Sequence, residues 1–336
     1  MSIGIIGCGA AGCLLILELT YRKYNLSNIV VVDPYFDGGS LGRKWGAVRS
    51  NTTWKQITDC LELYPSCQGP IAELSTKYQP TDIVLLSDLA CVLRDSIRPL
   101  LHDVTIVAEN CLRVQQTATG WRIECRQHTE DVTTLFLCQG GEPKTLDYGK
   151  PMIPLEIALD PILLARFVKP THVVSVFGLA HSGTLILRNL QQIGATINAF
   201  YDTAKPFYFS RDGEYEGIKE EAANIADAIL ANEYTKLKLF RSQDTKSVVK
   251  ASLKADWIIS SIGFAPKSVE VRSLDGARVN ECDYSPNTAA IQGADHLYGF
   301  GISYPGVSEV NGIMYKDVSI PSFFKQIRRC LPILFE

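Results

Sequence analysis

A chain of 336 residues, 46% of them apolar, is long enough for a large core and for two domains. Its formal net charge of -3 comes from basic and acidic residues mixed along the chain, which excludes an electrostatic footprint for nucleic acid or an anionic membrane. The ten cysteines form no C-x-x-C pair, which argues against a zinc ribbon or a local redox dithiol, and no metal site is expected. No apolar stretch has the length of a membrane span and the first residues lack the pattern of a signal peptide. A reduced, cytoplasmic protein that uses its cysteines as small apolar residues is the expectation.

Taken in chain order, Ser2 to Ile6 reads as a short buried strand and Cys13 to Tyr24 as a helix, with the turn Gly7-Cys8-Gly9-Ala10-Ala11-Gly12 between them. Ile29 to Val32 makes a second strand, closed by Asp33, 21 residues beyond Gly12. The spacing has a physical meaning. Gly7 permits the tight turn, Gly9 lets backbone approach a pyrophosphate, and Gly12 lets the helix pack closely on the strand. The helix N-terminus then faces the phosphates and Asp33 can accept from a ribose hydroxyl. A G-x-G-x-x-G set between strand and helix, with an acid after the next strand, predicts a dinucleotide site that includes Ala10 and Ala11.

The next stretch, DPYFDGGSLGRKWGAVRSNTTW, resembles the segment that follows the ribose-binding acid in flavoproteins with two dinucleotide-binding domains, the group of thioredoxin reductases and flavin-containing monooxygenases. The resemblance implies that Gly38, Gly39, Asn51 and Thr52 wrap FAD and that Trp45 lies near the flavin; Pro34 and Arg43 join the candidate FAD contacts. Asp88 to Leu101 has helical periodicity. Four strand-like runs follow, Val104 to Ala108, Leu112 to Gln116, Trp121 to Arg126 and Thr133 to Leu137. In the flavoprotein group a small antiparallel sheet stands at this point, before a strand that returns to the parallel sheet. TLFLCQGGEPK resembles that return, which implies that Gly140 and Gly141 pass close to the cofactor.

The proline-rich segment 142–170 reads as a crossing into a second domain, with a helix from Pro161 to Val168. Then the first unit is repeated, 171 residues on from Gly7 to Gly178: strand Val173 to Phe177, turn Gly178 to Gly183, helix Thr184 to Ile193, strand Thr196 to Tyr201, acid Asp202. The turn is now G-x-A-x-x-G. Ala180 places a methyl group where glycine allows the closest approach of a pyrophosphate. Ser182 can meet a phosphate or cap the helix, and His181 is a candidate for a phosphate or the nicotinamide. Asp202 suits NAD, whereas Lys205 and Arg211 suit the extra phosphate of NADP, so NAD(P)H is the expected second cofactor. Gly217 to Leu230 reads as a helix, and Lys236 to Phe240 and Val248 to Ala251 as strands. ADWIISSIGFAPKS resembles the later turn of the same flavoproteins, with Asp256 before the strand, Gly263 after it and then Pro266. DHLYGFGISYP resembles their late FAD-binding strand and turn, which implies a role for Gly301, although Ile302 stands where the family commonly has Asp. Asp317 to Cys330 closes the chain, partly as helix.

The expectation is therefore an α/β protein of two Rossmann-like dinucleotide-binding domains, parallel sheets plus a small antiparallel sheet, the second inserted in the first. An FAD-binding domain spans 1–165 and 286–336, and an NAD(P)-binding domain 166–285. The resemblance implies an FAD-dependent NAD(P)H oxidoreductase in which no catalytic side chain need be conspicuous. The missing C-x-x-C removes the redox pair of a thioredoxin reductase, and monooxygenase-like transfer from reduced flavin to oxygen, with a small-molecule substrate, is favoured. A flavin reductase with another acceptor, or a non-catalytic nucleotide sensor, stands as the alternative. A homodimer is the expected assembly.

Overall fold

The computed structural model describes residues 1–203, 205–207, 210, 211, 214, 215, 221–267, 269–310 and 313–334. The chain divides into two compact units, residues 1–142 with 266–336, and residues 143–265.

The first unit is built on a five-stranded parallel sheet in the order Leu297–Gly299, Thr134–Leu137, Ile3–Ile6, Ile29–Val32, Thr105–Val107. Both faces of this sheet are covered, which is why its three central strands are buried at every position and mostly apolar. Ile3, Ile5, Ile29, Val31 and Phe136 face a helical layer containing Ala10–Tyr21, Trp54–Leu61, Leu86–Ile97 and Ile320–Leu334. Ile6, Val30, Val32, Leu135 and Leu137 face a second sheet through Val114, Trp121, Ile123 and Val271. That sheet has the order Glu270–Arg272, Arg113–Thr117, Gly120–Glu124, Thr129–Val132, antiparallel except for the first pair. Trp121 is fully buried in it and donates from Nε1 to the Asp295 carbonyl at 2.9 Å. The helix Ala10–Tyr21 is buried from Ala11 to Leu19 without a polar stripe. A helix enclosed on all sides needs no such stripe.

The second unit holds a four-stranded parallel sheet in the order Leu237–Arg241, Thr196–Tyr201, Val173–Phe177, Trp257–Ser260. Phe177, Phe200 and Phe240 stack in a row across it, with ring centroids 4.5 and 5.4 Å apart.

Several elements differ from the sequence reading. The run at 104–108 does not join the antiparallel sheet; Thr105–Val107 is the edge strand of the parallel one, next to Ile29–Val32. The antiparallel sheet gains instead Thr129–Val132, whose polar sequence TEDV carries no apolar alternation. Val248 to Ala251 is helix, not strand: Thr245–Lys254 buries Val248, Ala251 and Ser252, spaced three and four apart, and Asp244 caps it by accepting from the Ser247 N–H at 3.2 Å. A hairpin, Gly306–Val310 with Ile313–Asp317, precedes the closing helix Ile320–Leu334. Of the helix read from Gly217, residues 217–220 lie outside the described residues, and Glu221–Leu230 is helical.

Residues 143–165, expected with the first domain, hydrogen-bond within the second unit. Ile153 N–H donates to the Ile258 carbonyl at 2.9 Å, and the buried Asn189 amide donates to the Ala158 carbonyl at 3.1 Å. Residues 266–285 lie in the first unit, where Glu270–Arg272 extends the antiparallel sheet.

Candidate functional site

Both parallel sheets contain a point where the strand order reverses, and open α/β sheets bind ligands outside the carboxyl ends of the strands at such a point. In the first unit the chain runs outward from Ile3–Ile6 to Ile29–Val32 and Thr105–Val107, then returns on the other side with Thr134–Leu137. Gly7 and Cys138 stand at that switch point. In the second unit Val173–Phe177 lies between Thr196–Tyr201 and Trp257–Ser260, and Gly178 and Ser261 stand at the corresponding place.

The two glycine turns match in detail. Gly7 has φ +97° and its Cα faces Cys138, so a Cβ there would lie 2.5 Å from the Cys138 carbonyl oxygen. Gly178 has φ +91°, and the same atom would lie 2.2 Å from the Ser261 carbonyl oxygen. A methyl group on Gly12 would come within 2.0 Å of the Gly7 carbonyl oxygen, and one on Gly183 within 1.9 Å of that of Gly178. These glycines allow each helix to start directly against its strand.

Gly9 behaves differently, since a Cβ there would meet nothing closer than Gly39 Cα at 3.7 Å. Gly9 precedes the helix Ala10–Tyr21 with no side-chain cap and no acid in the first turn. Ala180 holds the equivalent place before the helix His181–Ile193, again without a side-chain cap or a first-turn acid. Helix N-termini left this way present N–H groups and the positive end of the helix dipole, a setting that favours an anion. His181 and Ser182 are the first two residues of the second helix and Ala10 and Ala11 those of the first.

Asp33 is buried and closes the first turn from the side. One carboxylate oxygen, Oδ2, accepts from the Cys8 N–H at 2.8 Å, and Oδ1 accepts from the Tyr35 and Phe36 N–H groups at 2.8 and 2.9 Å. Pro34 follows directly. Gly39, at φ +77°, brings the next segment against the turn; a Cβ on it would lie 2.7 Å from Gly9 Cα. Arg43 sits over the Tyr35 ring at 3.7 Å and pairs with Asp37 at 3.3 Å. Trp45 N–H donates to the Ser40 carbonyl. Asn51 and Thr52 lie on the strand Arg49–Thr53, paired antiparallel with Ile83–Leu85 rather than placed on the turn itself.

Two further loops converge on Gly7–Gly12. Gly301, at φ +93°, packs on the helix start so closely that a Cβ would lie 2.8 Å from Ala11 Cβ. Gly140, at φ +74°, accepts at its carbonyl from Ser303 Oγ at 2.5 Å and from the Lys267 N–H at 3.0 Å. Gly141 begins the short strand Gly141–Pro143. The sequence reading missed Gln139, Ser303 and Tyr304, which tie these loops together: Gln139 Nε2 donates to the Tyr304 hydroxyl at 2.9 Å. Their only sequence signal is position, immediately after two strands of the parallel sheet.

Cys8 of the turn, Cys13 and Cys138 are buried. A hydrogen bond with Cys13 and then burial push the Cys8 thiol well above its ordinary range, and burial does the same to Cys138.

In the second unit Gly178 N–H donates to the Phe200 carbonyl at 2.9 Å, just as Gly7 N–H donates to Val32 at 2.8 Å. The register counterpart of Asp33 is therefore Tyr201. Asp202 stands one residue further, exposed, with its carbonyl accepting from Gln243 Nε2 at 3.4 Å. Gly263, at φ +88°, has open space where a side chain would be, and its carbonyl accepts from the Lys144 N–H at 2.9 Å. The side chain of Arg211 lies outside the described residues. Among the described residues no group of three or more His, Cys, Asp or Glu could hold a metal, and no helix is long and apolar enough to cross a membrane.

No family model matches the chain. A curated relative, the monooxygenase AgnR1 of Paecilomyces divaricatus, is 24% identical over 384 aligned positions, covering 98% of this chain and 96% of that protein. Among solved structures, a flavin monooxygenase from Stenotrophomonas maltophilia superposes with a TM-score of 0.65 at 12% identity, covering 99% of this chain and 98% of its own. The bacillithiol disulfide reductase Bdr of Staphylococcus aureus gives 0.64 at 14% identity, covering 100% and 98%. The ornithine hydroxylase PvdA of Pseudomonas aeruginosa gives 0.63 at 9% identity, covering 99% and 98%. Paired glycine turns at two sheet switch points, together with these full-length superpositions, give the chain the fold shared by thioredoxin reductase-like and flavin monooxygenase-like flavoproteins.

Proposed function

We propose that the chain is an FAD-dependent NAD(P)H oxidoreductase, with FAD on the unit of residues 1–142 and 266–336 and NAD(P)H on an inserted domain formed by residues 143–265. The observation that carries the reading is the repetition of one phosphate-cradling turn at the switch points of two separate sheets. The first site fits FAD: Gly9 leaves room for a close approach, the helix start is uncapped, and Gly39 and Gly301 bring two more backbone segments to it.

When bound, FAD supplies a two-electron acceptor that also reacts with oxygen; the residues supply the rest. The first-turn N–H groups of Ala10–Tyr21 hold the pyrophosphate, and the absence of an acid in that turn keeps the dipole uncompensated. Asp33 fixes the shape of the turn through its three backbone hydrogen bonds and has lone-pair capacity left for a ribose hydroxyl. The helix His181–Ile193 does the same for the second nucleotide, with Ala180 in place of a glycine.

Electrons pass, in this reading, to oxygen with a small-molecule substrate. Two facts support that over a disulfide acceptor: the curated relative is named a monooxygenase, and the chain has no C-x-x-C pair. Cys60 and Cys67 do not replace one, since both are buried and burial pushes the Cys60 thiol up to about 11. The test is a visible spectrum of the purified protein, then addition of NADH or NADPH without air. Flavin absorbance that bleaches, followed in air by peroxide whose yield falls with added amine or sulfide, is the expected result. A flavin that keeps its colour under both nucleotides defeats the oxidoreductase reading and leaves a nucleotide-binding sensor, a role that Ala180 would suit.

A further inference from the structure

The two parallel sheets differ at the carboxyl ends of the strands beside each glycine turn. In the first unit Val32 pairs with Val107, so the residues that follow on the two neighbouring strands are Asp33 and Ala108. In the second unit Phe200 pairs with Phe240, and the residues that follow, still in register, are Tyr201 and Arg241. A carboxylate beside a methyl group is replaced by a phenol beside a guanidinium. The charge at this corner has changed sign.

The rings of Phe200 and Phe240 stack on one face of the sheet, in one cluster with Val248 and Ala251, so alternation along the strands puts Tyr201 and Arg241 together on the other face. Backbone hydrogen bonds hold both positions: the Tyr201 carbonyl accepts from the Ser242 N–H at 2.7 Å, and the Arg241 carbonyl from the Asp244 N–H at 3.0 Å. Tyr201 is half-buried and Arg241 exposed. The acid nearest to Arg241 along the chain is already engaged, since the Asp244 carboxylate accepts from the Ser247 N–H and hydroxyl. Among the described residues the Arg241 guanidinium has no ion-pair partner. Leu179 stands where Cys8 stands in the first turn, and Tyr201 carries no carboxylate to take its N–H as Asp33 takes that of Cys8.

We propose that Tyr201 and Arg241 form the coenzyme-discriminating corner of the second unit, and that they select a dinucleotide with a 2′-phosphate on its adenosine ribose, NADPH over NADH. The inference rests on the reading of residues 143–265 as the NAD(P)H domain. An acid at the end of the strand accepts from ribose hydroxyls and repels a phosphate. A guanidinium meets a phosphate through paired N–H donors, and a phenol hydroxyl beside it can donate one bond more. Asp202, one residue further and exposed, is the opposing charge, and it lies beyond the register position that Asp33 fills in the first unit.

The test is titration calorimetry of the purified protein with NADP+ and NAD+, and with the nicotinamide-free fragments adenosine 2′,5′-bisphosphate and 5′-AMP, which bind without any hydride transfer. Wild-type protein should hold NADP+ and the bisphosphate at least about tenfold more tightly than NAD+ and 5′-AMP. Arg241→Ala should weaken both phosphorylated ligands about tenfold and leave NAD+ within about twofold, and that retained NAD+ binding reports an intact fold. Arg241→Lys keeps the charge without the planar fork and should recover only part of the loss. Tyr201→Asp should strengthen NAD+ and weaken NADP+. Wild-type protein that binds NAD+ as tightly as NADP+ would overturn the inference and leave the nicotinamide reading standing. An Arg241→Ala protein that keeps the wild-type ratio, or loses both nucleotides alike, would equally overturn it, since the preference would then lie elsewhere or the residue would be structural. If wild-type protein binds neither nucleotide, the NAD(P)H reading fails and this inference with it.

Discussion

The carboxylate of Asp33 and the backbone N–H of Cys8 are 2.8 Å apart, a hydrogen bond that ties the end of the second strand to the middle of the first glycine turn. Its other oxygen holds the Tyr35 and Phe36 N–H groups, so one side chain shapes both the first glycine turn and the segment that follows. Asp33→Asn leaves an amino group facing N–H donors on one side or the other. The expected cost is about 1–3 kcal/mol of stability in urea titration, with weaker FAD retention alongside. An unchanged unfolding midpoint would show that these bonds are dispensable.

If each unit takes one dinucleotide, as proposed, the matched turns allow the two to be tested separately. Gly12→Ala drives a methyl group against the Gly7 carbonyl and Gly183→Ala drives one against Gly178, each a clash with backbone that side-chain rotation cannot relieve. A cost of about 3 kcal/mol or more is expected for each. Protein carrying Gly12→Ala should purify colourless. Protein carrying Gly183→Ala should stay yellow and yet resist bleaching by reduced nicotinamide. A Gly183→Ala protein that bleaches at the wild-type rate would remove the second unit from the reaction.

Glu18 is a carboxylate with no exposed surface, on the helix that starts at the first turn. It accepts from Tyr64 Oη at 2.7 Å and pairs with Arg22 at 2.7 Å and Arg328 at 3.5 Å. Tyr64→Phe removes a donor to a buried charge and should lower stability by about 1–3 kcal/mol. Arg328 reaches Glu18 from the closing helix, and the Tyr64→Phe effect should shrink when Arg328 is also removed, a coupling that a double-mutant cycle measures.

Thiol chemistry should divide by burial. Burial pushes Cys60 and Cys125 up to about 11 and Cys111 up to about 12, so very little thiolate exists in them at pH 8. Iodoacetamide followed by mass spectrometry should modify the exposed Cys91 and Cys282 first and leave those three almost untouched. Their labelling should rise about tenfold per pH unit above 8. The same shifts carry a stability consequence. Folded thiols hold their protons more tightly than unfolded ones, so their contribution is fully present below about pH 8.5–9 and is lost as pH rises toward 11 to 12. Stability that is flat from pH 8 to 11 would contradict it.

Much of the architecture was legible because its signals are local. Gly7, Gly9, Gly12 and their repeat at Gly178, Ala180 and Gly183 declare themselves by spacing, and the mostly apolar strands around them announce a sheet covered on both sides. What escaped was set by partners distant in sequence. Thr105–Val107 gave no hint of whether it would join the parallel or the antiparallel sheet, because only its pairing with Ile29–Val32 decides that. Val248 and its neighbours look like strand until Asp244 caps them and Val248, Ala251 and Ser252 share one buried face. Gln139 and Tyr304 are 165 positions apart, and nothing in either local sequence points to the other.

Because Phe200 rather than Tyr201 receives the Gly178 N–H, the position that matches Asp33 of the first turn is taken in the second unit by a phenol. Anyone wishing to graft a new coenzyme preference onto this scaffold should begin at position 201. Changing Asp202 alone, one residue further along the chain, would leave that phenol in place.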